Sequence, residues 1–220
     1  MSNIRIFVSH RIDIDSETVD TPVYFPVRCG AVYDEEGNSE IQGDDTGDNI
    51  SKLRMSFCEF TVQYWAWKNV DADYYGLCHY RRYLSFSDKR YKNTVFNMVR
   101  ELKLTPHEKK KYHLDDTKKI EKTVKQYDMI IPVVAKASEM SYNRAEVKTL
   151  REMWESYNGV YFEQGIIDKM FSLIKEYSPE YYNSACEYFS GKYHRAFNCY
   201  IMKKELFVRM CEFQFPIMKR

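Results

Sequence analysis

The order of three segments constrains this chain more than any other feature. Ile4-Arg5-Ile6-Phe7-Val8-Ser9 and Tyr74-Tyr75-Gly76-Leu77-Cys78 are short, rich in β-branched and aromatic residues, and end at polar clusters, which is the composition of buried strands. Between them Phe57, Phe60, Thr61, Tyr64, Trp65 and Lys68 recur at helical spacing, with Ser51 able to open the helix and Asn69 to stop it. Strand, helix and strand in this order predict an α/β fold in which the helix is the crossover between neighbouring strands.

Later segments extend the pattern. Residues 23–28 read as a strand that Pro26 places at an edge or a strand end. Strands are also predicted over 127–133 and 197–202, and helices over 144–157, 166–177 and 204–211. Residues 88–125 differ in kind, with eight lysines between Lys103 and Lys125 and only Tyr112 as an aromatic after Phe96. They are expected to form an exposed, largely helical insertion in a single domain covering 1–220.

Composition excludes several classes. An aromatic fraction of 16% beside a hydrophobic fraction of 44% is enough apolar surface to offset conformational entropy, so wholesale disorder is ruled out. No apolar run approaches the roughly 18 residues of a membrane span. The polar start Met1-Ser2-Asn3 and the missing cleavage site argue against a secretory signal. The expected setting is cytoplasmic, with the six cysteines reduced and packed as small apolar residues. Neither the cysteines nor the five histidines show zinc spacing.

A net charge of +1 removes the main argument for a nucleic-acid binder, although charge is unevenly spread. Residues 81–125 carry 14 Lys/Arg against 6 Asp/Glu, and 13–59 carry 12 Asp/Glu. The basic stretch is either solvated surface or faces something anionic such as a phosphate or a lipid surface.

Four groups could carry chemistry. In Gly76-Leu77-Cys78-His79-Tyr80-Arg81-Arg82-Tyr83 an apolar strand delivers His79, Arg81 and Arg82 at its carboxyl end, where open α/β sheets bind ligands. Adjacent guanidiniums suit a pyrophosphate, or else pair with acidic loops. In Gly43-Asp44-Asp45-Thr46-Gly47-Asp48-Asn49 the carboxylates could hold a cation, bond ribose hydroxyls or act as a base, or the segment is a loop of Asx turns. Trp65 and Trp67 cannot share one helix face, so one could approach a ligand, although such stripes more often pack a core. His194, Arg195 and Asn198 flank the last strand. Asp71-Ala72-Asp73 is a literal Asp-x-Asp but precedes its strand, so it reads as a turn.

The strings Gly43 to Ser51, Phe57-Cys58-Glu59, Tyr64-Trp65-Ala66-Trp67-Lys68-Asn69 and Tyr75 to Tyr83 resemble an uncharacterised domain family, domain of unknown function 4422, from bacterial capsule and exopolysaccharide gene clusters. Ile130-Ile131-Pro132, Pro179-Glu180-Tyr181 and Phe197 to Lys204 resemble its later blocks, so the likeness covers nearly the whole chain. Arg54 stands where the family has Asn, and members continue past Phe215-Pro216-Ile217, which leads to the expectation of a shortened C-terminus.

Members of the family are regarded as glycosyltransferases of the GT-A type. The resemblance therefore implies a GT-A-like (Rossmann-like) mixed, mostly parallel sheet flanked by helices, with a Lys-rich helical excursion. It implies transfer of a sugar from a nucleotide-diphospho-sugar, UDP-linked, to a glycan or lipid-linked glycan in capsular or exopolysaccharide biosynthesis. Manganese or magnesium is left open, and no residue is assigned to a metal. Ser9, His10, Arg11, Asp44, Asp45, Asn49, Arg81 and Arg82 would bind the donor and its diphosphate. His79 and Asp48, the latter as base, would be catalytic, and Trp65, His194 and Asn198 would line the acceptor cleft. The Lys-rich stretch would touch an anionic membrane, and no nucleic acid is expected. The alternative is a non-catalytic nucleotide-sugar or glycan-binding module on the same fold.

Overall fold

The computed structural model describes residues 3–35, 40–91, 94–95, 98–100, 103–195 and 198–220. They group into two compact units: Met1–Pro132 with Phe197–Cys211, and Val133–Ala196 with Glu212–Arg220.

The first unit is built on one sheet. Strands β1 (Ile4–Arg11), β2 (Tyr24–Cys29), β3 (Gln42–Gly43) and β4 (Tyr74–His79) lie parallel in the order β3-β2-β1-β4. Helices α1 (Arg54–Phe57) and α2 (Phe60–Asn69) form the crossover between β3 and β4. The expected helix from Ser51 is thus broken, because Cys58 adopts φ 46° between its two parts. Pro26 is accommodated because β3 reaches only Val27 and Arg28, so the missing N–H costs no ladder bond on that side.

β4 turns directly into β5 (Arg82–Leu84), which pairs with β7 (Met98–Arg100), itself paired with β6 (Thr94–Val95). Helices α3 (Pro106–Lys111) and α4 (Thr117–Val124) follow, then β8 (Met129–Ile130). The predicted strand over 127–133 is realised only in β8. Ahead of the last strand, β11 (Tyr200–Lys203), Phe197 lies outside the described residues. β11 is antiparallel to both β4 and β8.

Parallel strands must be buried on both faces. On one face Trp65 of α2 stacks on Phe25 at 6.2 Å, and Phe7 lies against both Trp65 and Tyr75. There Tyr75 also stacks on Phe207, at 4.3 Å, from the helix α9 (Lys204–Met218). The other face, with Ile4, Ile6, Val8 and Tyr24, is closed by Tyr83, Met98, Tyr112, Leu114, Ile120 and Val124. The Lys-rich segment therefore covers the second face of the sheet. Among its described residues the lysines are exposed or half-buried, while Leu104, Tyr112, Leu114, Ile120 and Val124 are in the core. Ile120 and Val124, one helical turn apart on α4, show how a helix this polar still presents an apolar stripe.

In the second unit, β9 (Ala135–Lys136) pairs antiparallel with β10 (Tyr193–His194); α5 (Ala137–Met140), α6 (Leu150–Glu155) and α8 (Tyr182–Ser190) pack around Ala137, Leu150 and Met153, and α7 (Ile166–Tyr177) lies against α6 and α8. The helix predicted over 144–157 shortens to α6 because the Thr149 side chain accepts from the Glu152 amide and so starts the helix there. The last helix, α9 (Lys204–Met218), runs past the predicted end, and the division between units falls within it. Among the described residues, no helix is long and apolar enough to cross a membrane.

Candidate functional site

The carboxyl ends of the parallel strands are aligned at one edge, with Ser9 opposite both Val27 and His79, and Arg28 opposite both His10 and Gly43. Strand alternation puts Ser9 and His79 on one face and His10 and Arg28 on the other. Ser9 is buried beneath the edge, where its carbonyl accepts from the Tyr80 amide at 3.1 Å.

On the His10 side, His10, Arg11, Asp13, Ser16, Arg28 and Asp34 line a cleft of about 470 Å³. The Arg28 guanidinium donates to the Ile41 carbonyl at 3.0 Å and to the Asp34 carboxylate, a largely buried ion pair. Asp13 accepts from Arg11 Nε and from Arg54, both at 2.9 Å, and these bonds, Arg11 first, hold its carboxyl well below the usual range. His10 is 3% exposed, with Nδ1 2.6 Å from Ser16 Oγ and with Nε2 buried and unpartnered. Burial pushes its pKa down to about 4.

The His79 side is a hairpin. His79 pairs with Arg82, so Tyr80 and Arg81 form a two-residue turn. The His79 ring lies 4.2 Å from that of Tyr80, and the Arg81 guanidinium sits 5.5 Å from the Tyr80 ring centre. The Nδ1 atom of His79 is buried without a partner, and burial first, then the charges of Arg82 and Arg81, push its pKa down to about 4. At neutral pH the edge thus presents three arginines, Arg11, Arg81 and Arg82, beside two uncharged imidazoles.

The Asp-rich loop divides differently from the expectation. Asp44 is fully buried and accepts from the Gly30 amide (2.9 Å), the Ala31 amide (3.0 Å), Ser51 Oγ (2.6 Å) and Thr61 Oγ1 (2.5 Å). It cannot touch a ligand, and instead ties the exit of β2 to the start of α2. Asp45 is exposed beside it. The Asn49 amide group staples the loop to itself through the carbonyls of Asp45 and Gly47.

Asp48 is drawn away from the edge. Its backbone exchanges hydrogen bonds with the Asn69 side chain, and its carboxylate accepts from Tyr64 at 3.2 Å. Asn69 is eight residues beyond Thr61 on α2, which puts Asp48 about 12 Å along the helix from Asp44. That position sets it apart from the strand ends, where a base was expected. Trp65 is also withdrawn from the acceptor cleft. It is 5% exposed in the aromatic core, and its indole N–H donates to Thr46 at 2.9 Å. His194 is half-buried in the second unit and Asn198 half-buried in the first.

Arg28, Asp13 and Asp34 were missed in the sequence. The carboxyl-end rule, applied to β2 as well as β4, points to Arg28. Asp71 and Asp73 lie at the opposite end of β4, where Asp71 pairs with Lys204 and Asp73 accepts from the Asn3 amide at 2.7 Å. Among the described residues no three His, Cys, Asp or Glu side chains converge to hold a metal.

A mixed, mostly parallel sheet flanked by helices, with polar groups gathered at the carboxyl edge, is the GT-A-like class of α/β fold. The chain belongs to the family described as a domain of unknown function, DUF4422, which matches residues 5–220. A solved structure of the bifunctional glycosyltransferase WbbM in its apo form is similar, with a TM-score of 0.85 and 26% sequence identity. The match covers 99% of this chain and 36% of that one, so the chain spans about a third of that protein's length. No curated protein matches the chain.

Proposed function

We propose that the chain is a glycosyltransferase domain that transfers a sugar from a nucleotide-diphospho-sugar, UDP-linked, to a glycan or lipid-linked glycan in cytoplasmic capsular or exopolysaccharide biosynthesis. The observation that carries this reading is the convergence of Arg11, Arg81, Arg82, His10 and His79 on the carboxyl edge of a GT-A-like sheet. The likeness to a bifunctional glycosyltransferase supports it.

In this reading the nucleoside sits in the His10–Arg28 cleft, and the diphosphate lies toward Arg81 and Arg82. As the bond between the anomeric carbon and the diphosphate breaks, negative charge grows on the leaving group. Guanidiniums fixed beside it stabilise that charge without moving. His79, with so low a pKa, is a hydrogen-bonding group at neutral pH rather than a proton acceptor. An anion bound beside it would raise that pKa. On the acceptor side Asn198 remains as a candidate.

The test is a panel of uridine, guanosine and cytidine diphospho-sugars, read as thermal shift and as release of nucleoside diphosphate. Arg81→Ala with Arg82→Ala is expected to weaken donor binding and lower turnover at least tenfold, and unchanged binding and turnover would refute the assignment. Binding without turnover would favour the non-catalytic module, a reading supported by the lack of a metal-holding group among the described residues.

A further inference from the structure

The second unit carries a groove that the proposed transfer does not use. Half-buried Trp154, Phe162, Met170, Leu173, Tyr188 and Ile217 line a cavity of about 470 Å³, within the usual size of ligand sites. A neighbouring cavity of about 490 Å³ shares Met170, Tyr188, Phe189, Ile217 and Met218 with it, so the apolar floor is continuous. An apolar patch of this extent on a water-soluble surface marks a binding face.

Its chemistry narrows the occupant. The Tyr188 hydroxyl is already engaged by His194 Nδ1 at 3.1 Å and by the Arg195 amide at 3.0 Å. The His194 ring meets Trp154 edge-on at 5.6 Å, and burial lowers its basicity. A glycan, which needs a partner for each buried hydroxyl, would find few here. The charged side chains lining the first cavity are Lys169 and Arg220, and no Asp or Glu is among the lining residues of either cavity. A second copy docked symmetrically on this face would bring the same two cations toward their own counterparts.

We propose that this groove takes the aliphatic chain of an anionic lipid, whose phosphate head pairs with Lys169 and Arg220. The loop just before Phe162 suits such a setting, because Val160 and Tyr161 are exposed, Tyr161 to 72%. A tyrosine beside an aliphatic residue is the composition of a membrane-interface contact. The Lys-rich helices α3 and α4 belong to the first unit. There Lys109 donates to the Thr18 carbonyl at 2.7 Å, and Lys119 pairs with Asp88 at 2.6 Å. The inference needs neither the donor nor the edge residues, so it stands or falls apart from the transferase reading.

The experiment titrates the full chain with dodecyl phosphate below its micelle concentration by calorimetry, with dodecyl maltoside and inorganic phosphate as controls. Dodecyl phosphate is expected to bind, dodecyl maltoside to bind at least tenfold more weakly, and inorganic phosphate not at all. Leu173→Asp should abolish binding. Lys169→Ala with Arg220→Ala, both at exposed side chains that leave the fold intact, should weaken dodecyl phosphate by about tenfold and leave the maltoside unchanged. No binding of dodecyl phosphate overturns the proposal. Equal affinity for both detergents that ignores the cation substitutions does so too. A concentration-dependent dimer dispersed by Leu173→Asp, with no lipid binding, would give the groove to a second copy.

Discussion

Asp44 separates two accounts of the loop that follows β3. Both Asp44 and Asp45 lie where a ligand-binding carboxylate is expected, yet Asp44 is fully buried under four hydrogen bonds. In Asp44→Ala, the Thr61 hydroxyl can turn to the Cys58 carbonyl, already at 3.0 Å. The Gly30 and Ala31 amides and the Ser51 hydroxyl donate to Asp44 and have no second acceptor among the described residues. Three orphaned donors at about 1–3 kcal/mol each, eased by any water that enters, give a loss of about 3–5 kcal/mol. Asp44→Asn is milder. Its oxygen can still serve Ala31 and Ser51, but its NH2 then faces the Gly30 amide, donor against donor, for about 1–3 kcal/mol. Against a typical total of about 5–15 kcal/mol, either change is large. Urea unfolding followed by far-UV circular dichroism measures it. A ligand-contacting Asp44 would give the opposite pattern, with stability within about 0.5 kcal/mol of wild type and only nucleotide-sugar affinity lost. That result would refute the structural role.

Three further outcomes follow from the same geometry. His10 has its folded-state pKa depressed from 6.5 to about 4, so the unfolded chain binds its proton first on acidification; stability is full above pH 6.5 and falls between there and pH 4. The loss reaches about 3 kcal/mol, and unfolding of wild type and His10→Asn at pH 7, 5.5 and 4.5 should show the decline reduced in the variant. Gly30→Ala forces a side chain onto φ 72° and drives its Cβ into Arg54 Cδ, so it should destabilise by about 1–2 kcal/mol from backbone strain plus the clash; adding Arg54→Ala removes Cγ and Cδ but leaves the Arg54 Cβ 2.8 Å from the new one, so it should recover only part of the steric cost, seen as a partial rise in Tm. Asp48→Ala is expected to leave turnover within about twofold while costing the Tyr64 hydrogen bond, about 0.5–1.5 kcal/mol; a loss of turnover above a hundredfold would make Asp48 a base.

The sequence made β1, α2, β4 and α7 legible because each is decided locally, by composition or by helical spacing within its own segment. Asp44 and Asp45 show where that reasoning ends. Two adjacent, identical side chains meet opposite fates, one bonded to Gly30 and Thr61 and the other exposed, and only contacts 14 and 17 residues away decide which. Trp65 was ambiguous for a related reason, since helical spacing names a face but not what packs against it. Residues 88–125 show what averaging hides. Eight lysines dominate the composition, whereas Tyr112, Leu114, Ile120 and Val124, few and scattered, carry the packing. The need to cover both faces of a parallel sheet was the available clue. The hairpin at Tyr80 and Arg81 explains why no acidic metal-binding loop follows β4, and the apolar run alone did not announce that turn.

The layer formed by α3 and α4 divides its duties by direction. Its inner side chains answer to the sheet, while Lys103, Lys110, Lys118, Lys122 and Lys125 are exposed. With a net charge of only +1, replacing several of these lysines by glutamate would make the whole molecule strongly acidic and leave the fold almost untouched. The electrostatic character of this protein is therefore a separately adjustable coat. Homogenates, columns or surfaces that capture it through charge would report on that coat and say nothing of the edge where the arginines stand.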